Sequence, residues 1–346
     1  MEGLVRAAAL TDFAEVSRSL GYDAAAALRR AGLSPRVLDE PEMRLPAGVV
    51  MQLLETAARA TNCDTFGLRM AQSRQVSNFG AISLLLTHLG TLRDVLTTTI
   101  EHLHLLNSAL ALQVEENGPL VIVREEVMSA SLARQSVELA IGVIYRLCAT
   151  LMGKGWHPRS VNFSHGAPAS GALHRQVFQC PVIFDAEFNG LVCHAADLDV
   201  PNPAADPNLA RYARALLESL PQSSPHTLSH DVRRTIYLSL PSGGATCAWV
   251  AQSLGRSLRT FQRELDQEGV SFSELLAEVR TNLARRYMES PKYEVGQVAA
   301  LLGYSTHGAF TRWFALQFGL PPTEWRRRAM ALEPSQDART GAAVPA

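Results

Sequence analysis

Arg259, Gln262 and Arg263 stand three and four residues apart, the spacing that places side chains on one face of a helix. Such a face can hydrogen-bond to the edges of nucleic-acid bases. An arginine fork matches guanine O6 and N7, and a glutamine amide matches adenine N6 and N7. Leu258 falls on the same side, and Ser257 just ahead of it is a natural helix N-cap. Thr306, His307, Thr311 and Arg312 form a second, similarly placed set. The plainer alternative for the arginines is contact with phosphate alone, or with solvent.

The elements that must carry these residues are written twice. Val250-Ala251-Gln252-Ser253-Leu254-Gly255-Arg256-Ser257 recurs 48 positions later as Val298-Ala299-Ala300-Leu301-Leu302-Gly303-Tyr304-Ser305. In the first copy the pattern predicts a helix over 246–254, a turn at Gly255, and a second helix that buries Phe261 and Leu265. In the second copy it predicts a helix over 295–302, a turn at Gly303, and a cap at Ser305 or Thr306. Phe310, Phe314 and Phe318 then pack inward. Helix, glycine turn, capping residue and helix make a helix-turn-helix, whose second helix can enter a major groove. Phe272, Leu275, Leu276, Val279, Leu283 and Tyr287 form an apolar stripe on one long helix between the copies. A stiff bridge matters, because successive major-groove faces on one side of B-DNA lie about 34 Å apart.

The chain of 346 residues has room for two or three domains. At 47% hydrophobic and 19% charged residues it has the composition of a soluble globular protein. No apolar run reaches the ~18 residues that span a bilayer, and the start lacks signal-peptide shape, so the expectation is a cytoplasmic protein without a membrane partner. Five scattered cysteines without a Cys-x-x-Cys pair fit reduced thiols and no structural zinc site. The net charge of −1 hides an asymmetry: residues 226–330 hold 13 Arg and Lys against 9 Asp and Glu, and residues 1–225 hold 18 against 22. A basic module behind a mildly acidic one suggests a nucleic-acid-binding part with a separate task upstream.

Upstream, the pattern is α+β. Short helices are expected at 24–30, 49–60 and 66–73, and a longer one from Thr91 through Leu106. Strands at 109–115 and 120–126 flank Glu116-Asn117-Gly118-Pro119, a hairpin signal. A helix over 137–152, strands around 161–165 and 182–184, and a helix over 209–220 follow. The domains expected are 1–220, a linker over 221–228, an all-α domain over 229–330 with two helix-turn-helix units joined by a long helix, and a disordered tail over 331–346.

The downstream part resembles the AraC-type family of bacterial transcription regulators over roughly 229–328. The resemblance rests on Arg259-Thr260-Phe261-Gln262-Arg263, Ser271-Phe272-x-Glu274-Leu275-Leu276, Val279-Arg280, Ala299-x-x-Leu302-Gly303-Tyr304, Phe310-x-Arg312-x-Phe314 and Gly319-x-Pro321. It implies DNA contact by the second helix of each unit, at Arg259, Gln262 and Arg263 and then at His307, Thr311 and Arg312. It also implies that Arg280 belongs to internal packing. Gly308 stands where the family often has a longer side chain, so the first unit is expected to set most of the specificity and the second to anchor.

The first 220 residues resemble the effector-binding region of one AraC-type subgroup, often called arabinose-binding-like. The matching stretches are Asn78-Phe79-Gly80, Gly90-Thr91-Leu92, Val161-x-Phe163-x-His165-x-x-Pro168, and Phe178-x-Cys180-Pro181-Val182-x-Phe184 leading to Phe188-Asn189. The resemblance implies a small-molecule sensor, not necessarily for arabinose, that dimerises. Phe79, His165, Phe178, Phe184 and Asn189 are the effector-contact candidates, with core packing as the plain alternative for each. His102, His104 and the Cys193-His194 pair lack the further ligands a metal needs, and no cofactor is expected.

Taken together, these features imply a dimeric regulator that binds promoter DNA and answers to a small molecule, with RNA polymerase as a partner if it activates. One rival is a regulator that needs no effector. Another is an enzyme fused to the same DNA-binding module, but the chain has no Gly-x-Ser-x-Gly elbow, Walker loop or His-Glu-x-x-His.

Overall fold

Leu4–Arg6 (β1) and Arg44–Pro46 (β2) pair antiparallel, with Val5 opposite Leu45. At three residues each, they are too short to print a period-two pattern in the sequence. The computed structural model describes residues 3–130, 133–153, 155–219, 227–290 and 292–332. The chain packs as two compact units, Met1–Leu238 and Ser239–Ala346. The expected linker falls mostly outside the described residues, as do residues 333–346 of the expected tail.

In unit 1, α1 (Phe13–Ser19) and α2 (Ala24–Arg30) lie between the two strands in sequence. Then come α3 (Ala47–Ala60), α4 (Phe66–Ala71), α5 (Ser83–Leu86), α6 (Leu92–Glu101) and α7 (Leu103–Leu106). The single helix expected from Thr91 to Leu106 is thus two. His102 leaves the helical region at φ −104° and ψ 11°, and its Nδ1 lies 3.0 Å from the Thr98 carbonyl oxygen.

β3 (Leu110–Asn117) and β4 (Leu120–Val127) pair from Leu110 opposite Val127 to Asn117 opposite Leu120. Gly118 and Pro119 form the two-residue turn, and φ at Gly118 is 59°, which glycine adopts without a Cβ clash. After α8 (Arg134–Met152) come β5 (Ser160–Asn162), α9 (Ala172–Phe178), β6 (Val182–Ile183), β7 (Asn189–His194), α10 (Pro207–Ser219) and α11 (Leu228–Ser239). The sheet order is β3-β4-β7-β5-β6, antiparallel except for β5 beside β6. By length and composition α8 could cross a membrane, with 19 residues and a mean hydropathy of 1.2. It instead lends its apolar side to the core: Leu139, Ile141, Ile144, Leu147 and Cys148 are buried. A Cβ on Gly142 would collide with the Ala71 methyl, so glycine there lets α4 lie close against α8.

Unit 2 is helical in its described residues: α12 (Cys247–Ser253), α13 (Leu258–Gln267), α14 (Phe272–Glu289), α15 (Val295–Leu301), α16 (His307–Phe318) and α17 (Pro322–Leu332). Its core takes Val250, Phe261, Leu265, Leu275, Val279, Leu283, Val298, Leu302, Phe310 and Phe314, all nearly or wholly sealed from solvent. These recur at helical spacing, so the burial of each helix follows from the sequence.

Candidate nucleic-acid interface and upstream cavity

Thr246 caps α12 by accepting from the Trp249 N–H, and Gly255 (φ 68°) turns the chain. Ser257 caps α13 by accepting from the Thr260 N–H at 3.2 Å. With Phe261 and Leu265 facing inward, Leu258, Arg259, Gln262 and Arg263 are all exposed on the other side of α13. Arg256 is not part of that face, because its guanidinium is held by Glu264 at 2.6 Å.

The second copy repeats the plan with differences. Gly303 has φ 74°, and Thr306, not Ser305, caps α16 by accepting from the Ala309 N–H at 3.3 Å. His307, Gly308 and Arg312 are exposed. Thr311 is half-buried, and its hydroxyl donates to the His307 carbonyl of its own helix at 2.9 Å. Gly308 leaves a bare stretch of backbone between His307 and Arg312. Arg280, on α14, turns inward: Nε donates to the Leu302 carbonyl and the guanidinium lies 5.0 Å from the centre of the Tyr304 ring.

In unit 1 a cavity of about 140 Å³ opens between β1, α3, α7, β3, β4 and α8, with a largely apolar lining. Phe79 lines it. The other four expected effector residues lie elsewhere. Phe178 is fully buried in an aromatic cluster, its ring centre 6.0 Å from that of Phe163, and Phe184 stacks on Phe163 at 5.7 Å. His165 and His174 edge the same cluster, with their Nε2 atoms 3.5 and 3.2 Å from Oε1 of the buried Glu138. Burial, the largest influence, holds the His165 imidazole below its ordinary pKa. Asn189 is buried, and its Oδ1 accepts the Ser164 N–H at 2.7 Å, tying the end of β7 to the end of β5. Among the described residues, no group of three or more His, Cys, Asp or Glu is placed to hold a metal.

Residues 21–202 match the arabinose-binding N-terminal domain of AraC transcription regulators, and residues 250–328 match a helix-turn-helix domain. The chain belongs to the AraC family of transcription regulators. As a member of that family it is a DNA-binding transcription regulator, with the helix-turn-helix region downstream and the arabinose-binding-like domain upstream. It is similar to the HTH-type transcriptional regulator VirS of Mycobacterium tuberculosis, 29% identical over 327 residues, 93% of this chain and 96% of that protein. The ornithine utilization regulator of Pseudomonas aeruginosa is 26% identical over 318 residues, 90% of this chain and 91% of that one. Among solved structures, the transcriptional regulator CdpR from Pseudomonas aeruginosa matches 90% of this chain and 97% of its own, at 18% identity and a TM-score of 0.43.

Within this AraC-family chain, the residue that sequence reasoning passed over is Glu125. It lines the cavity, is 2% exposed, and neither carboxylate oxygen has a hydrogen-bond partner. Burial first, and the neighbouring charge of Glu126 second, push its carboxyl well above the usual carboxylate range. The sequence did carry a signal. Val121, Val123 and Val127 alternate along β4, and an acid sits at the intervening position on that face.

Proposed function

We propose that this protein is an effector-responsive regulator whose α12–α13 and α15–α16 pairs are two helix-turn-helix units, joined by α14, that place α13 and α16 in successive major grooves. The observation that carries this reading is the outer face of α13, where Arg259, Gln262 and Arg263 stand exposed while Phe261 and Leu265 anchor the helix from behind. Ser257, Leu258 and Thr306 flank the contacts at the helix starts, and His307, Thr311 and Arg312 supply those of the second unit. Gly308 offers no side chain, so α13 reads bases and α16 mainly holds phosphate.

Unit 1 senses a small molecule in its cavity and brings two protomers together on an operator, in the cytoplasm. The effector shifts the population of conformers able to engage DNA, by its differential affinity for them. An activating role, with RNA polymerase as partner, is supported by relatives such as the transcriptional activator AggR of Escherichia coli, 29% identical over 112 residues, 32% of this chain and 42% of that protein.

Footprinting on the promoter regions next to its own gene tests the DNA-binding part. A protected site is expected whose affinity falls steeply with salt, because each arginine–phosphate contact releases counterions. No protection at any salt concentration would overturn it. Thermal shift against a metabolite panel tests the sensor part, and a protein that no metabolite stabilises would be a regulator without an effector.

A further inference from the structure

Glu125 occupies a place that β4 otherwise gives to valine. Val121, Val123 and Val127 share its face, and all three are buried. Leu112 stands opposite it on β3 and lines the same cavity. An ionised carboxylate in such surroundings, without a partner, is strongly unfavourable.

The cavity's own cations are already engaged. Arg6 on β1 directs Nε and Nη2 to Glu42 and Nη1 to the Asn78 carbonyl. Arg74 directs Nε to the Met70 carbonyl, Nη1 to that of Ala8, and Nη2 to those of Ala9 and Thr11. Of the neutral polar groups, the Thr99 hydroxyl donates to the Val95 carbonyl at 2.7 Å, Asn78 Oδ1 accepts from the Gln75 N–H at 2.8 Å and Asn107 Oδ1 accepts from the Ala109 N–H at 2.9 Å, while Ser136 brings a hydroxyl to the wall. The remaining wall is hydrocarbon, chiefly Leu54, Leu103, Leu106, Leu139 and Ile144. What the cavity offers an incoming molecule is chiefly the acceptor pair on Glu125, with the Ser136 hydroxyl and an apolar bed beside it.

Building on the sensor reading above, we propose that the effector is a primary amine on a small apolar skeleton, its ammonium group donating to the Glu125 carboxylate and its hydrocarbon part lying against the leucines. Burial, and then the charge of Glu126, push the Glu125 carboxyl well above the usual carboxylate range, toward its protonated form. The ammonium makes the ionised form favourable, so any proton the carboxyl holds passes to solvent as the amine binds. The charged side chains that line the cavity with Glu125 are Arg6 and Arg74.

The test uses the full chain and three probes of similar skeleton: 2-phenylethylamine, 2-phenylethanol and 3-phenylpropionate. Isothermal titration is expected to show the amine binding, with any proton release read from buffers of different ionisation enthalpy, and the carboxylate failing to bind. Glu125→Gln should weaken the amine about tenfold or more while leaving the alcohol unchanged. The assignment is overturned if 3-phenylpropionate binds at least as tightly as the amine, or if the Gln variant keeps full amine affinity. It is also overturned if 2-phenylethylamine does not bind at millimolar concentration. If the variant does not fold, the preference of the unaltered chain for the amine over the alcohol and the carboxylate stays decisive. Footprinting separates the two readings. Promoter protection without amine binding removes only this effector class, and amine binding without protection removes the regulator reading instead.

Discussion

The Nε of Arg280 donates to the carbonyl oxygen of Leu302 at 3.0 Å, joining the middle of α14 to the turn that precedes α16. The bond satisfies a carbonyl at the end of α15, where the helix has no partner of its own to offer. The same guanidinium sits over Tyr304, so a single side chain holds both the turn and its ring. Arg280→Ala should destabilise unit 2 by about 1–3 kcal/mol through the lost charged hydrogen bond and the lost cation–π contact. Arg280→Lys should recover only part of that, since an ammonium lacks the fork. Urea unfolding followed by tryptophan fluorescence measures it, and an Ala variant as stable as the parent would refute the account.

On DNA, the two arginines of the outer faces should differ. Arg263→Ala is expected to cost about 1–3 kcal/mol at the preferred operator and to relax the preference at one base pair. Arg312→Ala should weaken binding to all sequences by a similar factor and flatten the salt dependence instead. An operator library scored for both variants decides, and equal loss of discrimination would contradict the ranking.

Gly67 gives a sharp packing prediction. A Cβ there would run into the backbone carbonyl of Gln135, while the Gly67 N–H donates to the Gln135 side chain at 2.9 Å. Gly67→Ala must therefore push α4 off α8, at a cost of about 1–3 kcal/mol. Gly296, exposed near the start of α15 with open space around it, should behave oppositely: alanine there stabilises by up to about 1 kcal/mol. Thermal unfolding of the two variants should show Tm shifts of opposite sign.

Glu125 also makes a prediction about pH. Its carboxyl has a higher pKa in the folded chain than in the unfolded one, so the folded state holds the extra proton. Stability therefore falls as pH rises above the unfolded carboxyl value of about 4.3, and keeps falling until the folded pKa is passed. Glu125→Gln removes that slope. The variant should match the parent near pH 4 and exceed it at higher pH, by an amount that stops growing once the folded pKa is passed. A parent more stable than the variant at the alkaline end would show that the buried acid has a partner.

How much of this was legible in the sequence follows from how local each feature is. Phe261 with Leu265, and Phe310 with Phe314, sit four apart behind a glycine turn and a cap, so the helix pairs and their outer faces could be read along a single stretch. Asn117-Gly118 likewise announced the hairpin. The cavity could not be read this way, because its walls come from positions between Val5 and Ile144 that only the fold brings together. Motif residues such as Phe178 and Phe184 were natural effector candidates, yet large aromatic rings serve a core as readily as a pocket, and here they stack on Phe163. The acid at Glu125 was visible as a break in a valine alternation, but its meaning depends on what stands across from it.

That alternation has an evolutionary side. Arg124, the residue just before Glu125, faces away from the cavity, pairs with Glu115 and lies over Phe188. A basic and an acidic side chain thus sit side by side on β4 and are sorted to opposite faces by the pleat alone. A one-residue slip of this strand against β3 and β7 would exchange them, turning a chamber that receives cations into one that receives anions. Insertion or deletion at the Gly118-Pro119 turn is thus a short mutational path by which descendants of this chain could answer to molecules of the opposite sign.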